Sequence, residues 1–136
     1  MTQVKDKTDQ QLNRALAELM GYTVVDMKWM GLHQLLKDGI EISRLPSEVY
    51  AWTWAPDYCS DPAASLEVQA KAIEVDASNF INRLAWIVRD RISGDMEWTN
   101  NDIAVLLNAS PRERAEAAYI TLSISKEDLN GTVGYR

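Results

Sequence analysis

The chain has 136 residues and a formal net charge of −6 at pH 7, with 46% hydrophobic and 25% charged residues. These values are typical of one globular domain that is long enough to bury its own core. No apolar run reaches the roughly 18 residues needed to span a bilayer, and the N-terminal segment lacks the apolar stretch of a secretion signal. The single cysteine excludes an internal disulfide. A single cysteine suits a reducing compartment, so we expect a cytoplasmic protein with no membrane partner. The acidic balance argues against a dedicated nucleic acid partner.

The first predicted element is a helix from Thr8 to Met20. Thr8 and Gln11 have the spacing of a capping box, and Gly21 stands where a left-handed residue ends many helices. Apolar residues recur at helical spacing and indicate a stripe that faces the core. They are Leu12, Ala15, Leu16, Leu19 and Met20.

The next segment predicts a β-sheet. Tyr22–Met30 alternates as a strand does, and a turn at Lys37-Asp38-Gly39 separates two short arms, His33–Leu36 and Ile40–Ser43, as in a hairpin. Leu45–Trp54 then fits a short strand or an extended loop. The side chains of the first strand alternate between two faces of the sheet. We expect the face with Thr23, Val25, Met27 and Trp29 to point toward the core.

A capped helix is predicted from Asp61. Pro56 favours extended backbone before it, Asp61 is a good N-cap residue, and Pro62 suits the first helical position. We expect an ion pair between Glu67 and Lys71 at i,i+4. The expected core-facing residues of this helix are Ala63, Leu66, Ala70 and Ile73.

The segment from Asp76 to Ile92 predicts another helix, capped by Asp76 or Ser78 and ended by Gly94. Ile103–Leu107 is a short apolar run that fits a buried strand or one helical turn, and its length favours the strand. The helical spacing of residues 76–92 is carried by Ile81, Leu84, Ala85, Val88 and Ile92.

The last predicted helix begins with an N-cap Ser110, an N1 proline and Glu113 as the partner of a capping box. Arg112 and Glu116 have the spacing of an ion pair. We expect one α+β domain over residues 1–124, followed by a tail, 125–136, that is flexible or forms a small hairpin. The expected core face of the helix is Ala115, Ala118, Tyr119 and Leu122.

Three motifs carry a family resemblance. They are the Pro-x-Tyr-x-Ser-Asp string of Pro56–Asp61, the helix of Leu12–Tyr22 that ends in Met-Gly-Tyr, and Asn108–Leu122, which begins Asn-Ala-Ser-Pro-Arg. In this order they resemble the phage α-β-α sandwich (ABA sandwich) family of small uncharacterised bacteriophage proteins. The resemblance implies a phage origin and a two-layer or three-layer α+β fold. We therefore expect a small single-domain α/β/α-type sandwich, with a short antiparallel sheet packed by three to four amphipathic helices. It implies no activity and no catalytic residues, and it places sheet where the spacing of residues 76–92 predicts helix.

The densest cluster of aromatic residues gives the candidate site. Trp52, Trp54 and Tyr58, together with Asp57, lie in the segment before the second capped helix, and aromatic side chains with a polar atom are frequent at binding surfaces. The alternative is that these aromatics fill the core of a small domain. We take the four residues as candidate contacts for a partner or ligand, and Thr8, Asp61 and Ser110 as structural caps.

Catalytic signatures are weak. Cys59 and His33 are the only residues of their kinds, and the sequence gives no reason to bring them together as a dyad. No set of metal ligands and no phosphate-binding glycine string is present, so we predict no cofactor. Asp57 and Asp61 flank Tyr58 and suggest a carboxylate site, although Asp61 is better explained as a cap.

These observations leave three functional hypotheses. The preferred one is a non-enzymatic phage accessory protein that binds a host protein or a small ligand in the cytoplasm of the infected cell. The first alternative is a structural or assembly protein, such as a homo-oligomer. The second alternative is a small metal-assisted hydrolase with an acidic site near Asp57.

Overall fold

The computed structural model describes the backbone of residues 3–130 and the side chains of residues 3–125. It is a small single-domain α+β fold with one three-stranded antiparallel sheet, as predicted. Short 3-10 turns at Val4–Asp6 and Arg89–Arg91 supplement the main elements. In chain order these are α1 (Asp9–Leu19), β1 (Tyr22–Met27), β2 (Leu32–Lys37), β3 (Ile40–Leu45), α2 (Glu48–Trp52), α3 (Pro62–Ile87), α4 (Asn100–Leu107) and α5 (Pro111–Asn130).

The main core lies between three helices, with α5 packed against both α1 and α3. Ala115, Ala117 and Ala118 of α5 are fully buried, because their small side chains let the neighbouring helices approach closely. The expected face of α5 is therefore confirmed for Ala115, Ala118 and Leu122, while Tyr119 is only partly buried. The helix continues beyond residue 124 to Asn130, and the hairpin considered for residues 125–136 falls partly outside the described residues.

Arg112 joins the start of α5 to the beginning of the chain. Its Nε donates to Glu116 Oε2 at 2.7 Å, which confirms the predicted i,i+4 pair. Its Nη1 donates to Asp9 Oδ1 at 2.8 Å, and its Nη2 donates to the carbonyl of Lys7 at 2.8 Å. One guanidinium thus fixes α5 to the N-terminus of α1.

The hairpin of β2 and β3 is confirmed. Asp38 and Gly39 form its two-residue turn with φ of 51° and 83°, the left-handed conformation that a primed turn requires. The Asp38 N–H also donates to the carbonyl of Gly21 at 2.9 Å, which ties this turn to the end of α1. Gly21 itself has φ of 101°, so the expected left-handed residue after α1 is present.

The predicted orientation of β1 is wrong. Tyr22 and Val24 face the small core that Leu35 and Leu45 form with α2, whereas Val25 is 47% exposed. The strand ends at Met27 and the following residues form a turn, which leaves Trp29 82% exposed. The reason is that α2 covers the Tyr22 face of the sheet, and the two-residue period of a strand then puts Thr23 and Val25 on the other face.

The short helix α2 was not predicted. The segment Leu45–Trp54 was expected to be a strand or an extended loop, but Glu48–Trp52 is helical and buries Ala51 against the sheet. Ser47 is its N-cap, and the Ser47 Oγ accepts a hydrogen bond from the Tyr50 N–H at 3.1 Å. The apparent alternation of aromatic residues here is therefore not a strand pattern.

Helix α3 contains a break at Asp76. Its φ of −161° and ψ of 87° are not helical, and its carboxylate accepts a hydrogen bond from the Asn79 N–H at 3.1 Å. Asp76 therefore ends one helical segment and caps the next, which confirms a helix rather than a strand after this residue. The second segment ends at Ile87, short of the predicted end at Ile92.

The apolar face predicted for the first segment of α3 is wrong. The residues buried against α5 are Ala64, Val68 and Ala72, whereas Leu66 is 49% and Ile73 40% exposed. Apolar residues lie on two opposite faces of this segment, and the face with the smaller side chains is the one that fits against the alanines of α5. The predicted Glu67–Lys71 pair is replaced by Lys71 and Glu74, with Nζ and Oε1 3.4 Å apart.

Helix α4 replaces the strand expected at Ile103–Leu107. Thr99 and Asp102 form a capping box at its start, in which the Thr99 Oγ1 accepts a bond from the Asp102 N–H at 3.1 Å. The Asp102 carboxylate is buried and accepts bonds from the N–H groups of Ser93, at 2.8 Å, and Thr99, at 3.0 Å.

Among the described helices, none is long and apolar enough to cross a membrane.

We expect Asp61→Ala to lower the free energy of unfolding by about 1 kcal/mol, because the Asp61 carboxylate caps α3. Its Oδ1 accepts a hydrogen bond from the Ala63 N–H at 3.1 Å. The equivalent caps of α1 and α5 are also confirmed, at Thr8 and Ser110. Urea denaturation followed by circular dichroism measures the effect, and a midpoint equal to that of the wild type would remove Asp61 from this role.

We expect Asp102→Asn to destabilise the protein at neutral pH and to alter its acid denaturation. Hydrogen bonds from the backbone N–H groups of Ser93 and Thr99 lower the pKa of Asp102 to about 2. Because this pKa is below its unfolded value of about 3.9, the stabilisation is complete above that value and is lost as the pH falls toward 2. The difference in unfolding free energy between wild type and Asp102→Asn should therefore shrink below pH ~4. A difference that stays constant from pH 7 to pH 2 would contradict this role.

Candidate functional site

A cleft of about 350 Å³ lies between α1, α2 and the segment that leads to α3. Its volume is at the lower end of the range for sites that bind small molecules. Two of the four residues predicted as contacts, Trp52 and Asp57, line it together. The full lining is Gln10, Gln11, Asn13, Arg14, Val49, Trp52, Thr53, Ala55 and Asp57.

Trp52 occupies the cleft as the last residue of α2, and Arg14 of α1 lies over its ring. The guanidinium carbon is 4.8 Å from the ring centroid, a distance at which the cation and the π-system attract each other. The Arg14 Nη2 also donates to Glu48 Oε2 at 3.2 Å, one turn before Trp52 on α2. Arg14 therefore bridges the two helices and fixes the plane of the indole.

The indole N–H of Trp52 is buried and has no hydrogen-bond acceptor among the residues that the structure describes. An unsatisfied buried donor costs about 1–3 kcal/mol, which is why such groups normally have a protein, solvent or ligand partner. Trp52 lines the cleft, but its Nε1 atom is closed to solvent, so an acceptor bound in the cleft satisfies this donor only when the side chains that cover the N–H shift. This is the feature of the cleft that most directly indicates a ligand.

Asp57 is held at the other side of the cleft by Asn13. The Asn13 Nδ2 donates to Asp57 Oδ1 at 2.9 Å, while the Asn13 Oδ1 accepts a bond from the Cys59 N–H at 3.0 Å. The same Asp57 oxygen accepts a bond from the Ser60 N–H at 3.2 Å. Two hydrogen bonds with Asn13 thus fix the segment before α3 to α1, and the third, within the segment, helps to orient the Asp57 carboxylate.

The other two predicted contacts are not in the cleft. Tyr58 is 1% exposed and belongs to the main core, where burial raises its pKa. Its side chain does not reach a partner at the surface, so the alternative that the aromatics fill the core is correct for Tyr58. Trp54 is 55% exposed and lies outside the residues that line the cleft.

Cys59 and His33 lie in different environments. Cys59 is buried beside Arg112, with 4.0 Å between its Sγ and the Arg112 Nη1, and burial raises its thiol pKa to about 11. The thiolate is therefore scarce at neutral pH. His33 lies on β2, where its Nε2 is 3.8 Å from the Asp26 carboxylate.

The acidic site near Asp57 has little structural support. Asp61 caps α3 instead of turning toward a shared cation with Asp57. Within the described residues, no group of three or more His, Cys, Asp or Glu side chains is placed to hold a metal ion. The hydrolase alternative therefore stays a hypothesis that rests on the sequence alone.

The sequence did not predict the α1 side of the cleft. Asn13 and Arg14 belong to the polar face of an amphipathic helix, and nothing in their spacing distinguishes them from solvated surface residues. Comparison with known proteins does not identify these residues either, because no protein-family model, curated protein or solved structure matches this chain. The site is therefore defined by its geometry.

We expect Asn13→Ala to lower the unfolding free energy by about 1–2 kcal/mol, because it leaves the Cys59 N–H without an acceptor in a partly buried position. Chemical denaturation measures this loss. Gln10→Ala is the matched control, since Gln10 is an exposed residue that lines the same cleft. Equal stability of the two variants would show that Asn13 does not anchor the segment before α3.

Proposed function

We propose that the protein is a non-enzymatic bacteriophage accessory protein that binds a small ligand, or a projecting group of a host protein, in the cleft between α1 and α2. The observation that carries the proposal is the buried indole N–H of Trp52, which lacks an acceptor among the described residues of a cleft large enough for a small molecule. The phage origin and the infected cell as the site of action rest on the resemblance of three motifs, Leu12–Tyr22, Pro56–Asp61 and Asn108–Leu122.

The polar groups of the cleft specify the chemistry of its occupant. Trp52 offers a hydrogen-bond donor, and Asp57 offers the carboxylate oxygen that Asn13 and Ser60 leave free. Val49, Ala55 and the Trp52 ring supply apolar surface between them. A ligand that fits these groups has a compact apolar body, an acceptor for the indole N–H and a donor for the carboxylate.

The cleft is built from fixed parts, as binding sites usually are. Arg14 bridges α1 and α2, and Asn13 holds the segment that carries Asp57. Because Asn13 and the Ser60 N–H position the Asp57 carboxylate before a ligand arrives, that side chain loses little conformational entropy on binding.

A structural or assembly role is the second candidate, and one observation favours it. Apolar side chains on the sheet and its turns are exposed: Val25 by 47%, Trp29 by 82%, Ile40 by 70% and Ile42 by 52%. Exposed apolar groups of this size are frequent at interfaces between subunits. Sedimentation over a range of protein concentrations separates this candidate from a monomeric binder.

We expect acceptor-bearing fragments, such as small amides and ketones, to bind in the cleft and to shift the indole N–H signal of Trp52 in ¹H–¹⁵N NMR spectra. Trp52→Phe keeps an aromatic ring but removes the N–H donor together with part of the indole surface, so the Kd for such a fragment should rise by at least about ten-fold. The same variant assigns the Trp52 signal by its absence from the spectrum.

Trp86→Phe is the matched control. Trp86 also has an arginine over its ring, with the Arg89 guanidinium carbon 4.0 Å from the centroid, but it is 63% exposed on α3. This variant should leave fragment affinity unchanged. Fragments that bind wild type and Trp52→Phe with the same Kd would show that the indole N–H does not hold a ligand.

A further inference from the structure

Helix α3 carries an apolar stripe that the fold leaves exposed. The stripe consists of Ala63, Leu66, Ala70 and Ile73, which are separated by three, four and three residues. All four are exposed, with Leu66 at 49% and Ile73 at 40%, and the opposite face of the same helix packs on α5. This segment of α3 is therefore apolar on two sides and buried on only one of them.

The spacing of the stripe indicates what kind of surface fits it. Alternation of three and four residues is the pattern by which one helix packs along another. Ala63 and Ala70 alternate with Leu66 and Ile73, so small side chains leave gaps between larger ones, into which the side chains of a second helix can insert. The stripe runs along about 16 Å of helix, roughly the length of three helical turns.

The charges beside the stripe indicate which helix fits. Glu67 and Glu74 are exposed along one flank, and Lys71 lies farther from the stripe, paired with Glu74 at 3.4 Å. The other flank carries Gln69, and Arg114 approaches it from α5 through a 3.4 Å hydrogen bond to Ser65 Oγ. Because Lys71 pairs with only one of the two carboxylates, this flank stays acidic and favours basic residues on the facing side of a docked helix.

A second copy of the chain fits this surface poorly. An antiparallel copy would set the two acidic flanks against each other, and a parallel copy would set the carboxylates against the neutral Gln69. The net charge of −6 on each chain adds repulsion at longer range. A partner helix with lysine or arginine beside an apolar stripe meets neither obstacle.

We propose that the exposed stripe of α3 is a docking surface for an amphipathic helix of a partner protein, with basic residues on the flank that faces Glu67 and Glu74. The helix packs its own apolar stripe against Leu66 and Ile73 and places its cations beside the two carboxylates. This surface is separate from the residues that line the cleft. The proposal does not depend on a ligand in the cleft.

The probe for this surface is a synthetic helical peptide of roughly three heptads with a Leu/Ala stripe, long enough to form a helix when bound. One version has lysine along the flanking positions and its twin has glutamate. By isothermal titration at low ionic strength, we expect the lysine peptide to bind the full chain at least about ten-fold more tightly than the glutamate peptide.

Two double variants separate the apolar contact from the charge. Leu66→Ser with Ile73→Ser keeps every charge and should abolish binding of the lysine peptide. Glu67→Lys with Glu74→Lys keeps the apolar stripe and should reverse the preference toward the glutamate peptide. Ile40→Ser, at a 70% exposed position on β3, is the control and should bind as the wild type does.

Three results would overturn the proposal. One is equal affinity for the two peptides, and another is lysine-peptide binding that survives loss of Leu66 and Ile73, because general attraction to an acidic protein explains both. The third is a concentration-dependent dimer in sedimentation that Leu66→Ser with Ile73→Ser dissolves, because the stripe would then belong to a second copy.

Discussion

The close approach of α5 to α1 and α3 determines much of this structure. Three alanines, Ala115, Ala117 and Ala118, are fully buried at the centre of the helical core, and Arg112 fixes the start of the same helix to Asp9 and Lys7. Larger side chains in place of the alanines would push α1 and α3 away, at a cost of typically 1–3 kcal/mol each. The positions of α1 and α3 therefore depend on the small residues of α5.

The cleft and the exposed stripe both depend on this arrangement. The main core places α1 so that Arg14 reaches α2 and Asn13 reaches Asp57, and these two contacts form the two sides of the cleft. The same core selects the alanine face of α3 for burial and leaves Leu66 and Ile73 outside. Both surfaces proposed as binding sites are thus consequences of how the helices pack.

Sequence information was sufficient where the determining contacts are local. The caps at Thr8, Asp61 and Ser110 involve residues two or three positions away, and each was predicted correctly. The inward faces of β1 and α3 were predicted wrongly, because each face is determined by packing against an element that is distant in sequence, α2 for β1 and α5 for α3. Trp52 and Asp57 were recognised by residue type, whereas Asn13 and Arg14 become part of the site only through tertiary contacts. Helix α4 is an exception: its capping box is local, but an apolar run as short as Ile103–Leu107 fits a strand and a helical turn equally well, and its length favoured the strand.

The claim that the cleft between α1 and α2 binds a ligand is tested most directly by native mass spectrometry of the full chain, purified gently from bacterial cytoplasm. The proposed function predicts a retained mass on the order of a few hundred daltons, as expected for a cleft of this size, or a host protein that purifies with the chain. The bound molecule should dissociate when the protein is unfolded by mild denaturation. As a control, a fragment known to bind the cleft is added and must stay bound under the same conditions. If the control fragment is retained but the chain from cytoplasm carries no ligand and no host protein, the claim is contradicted.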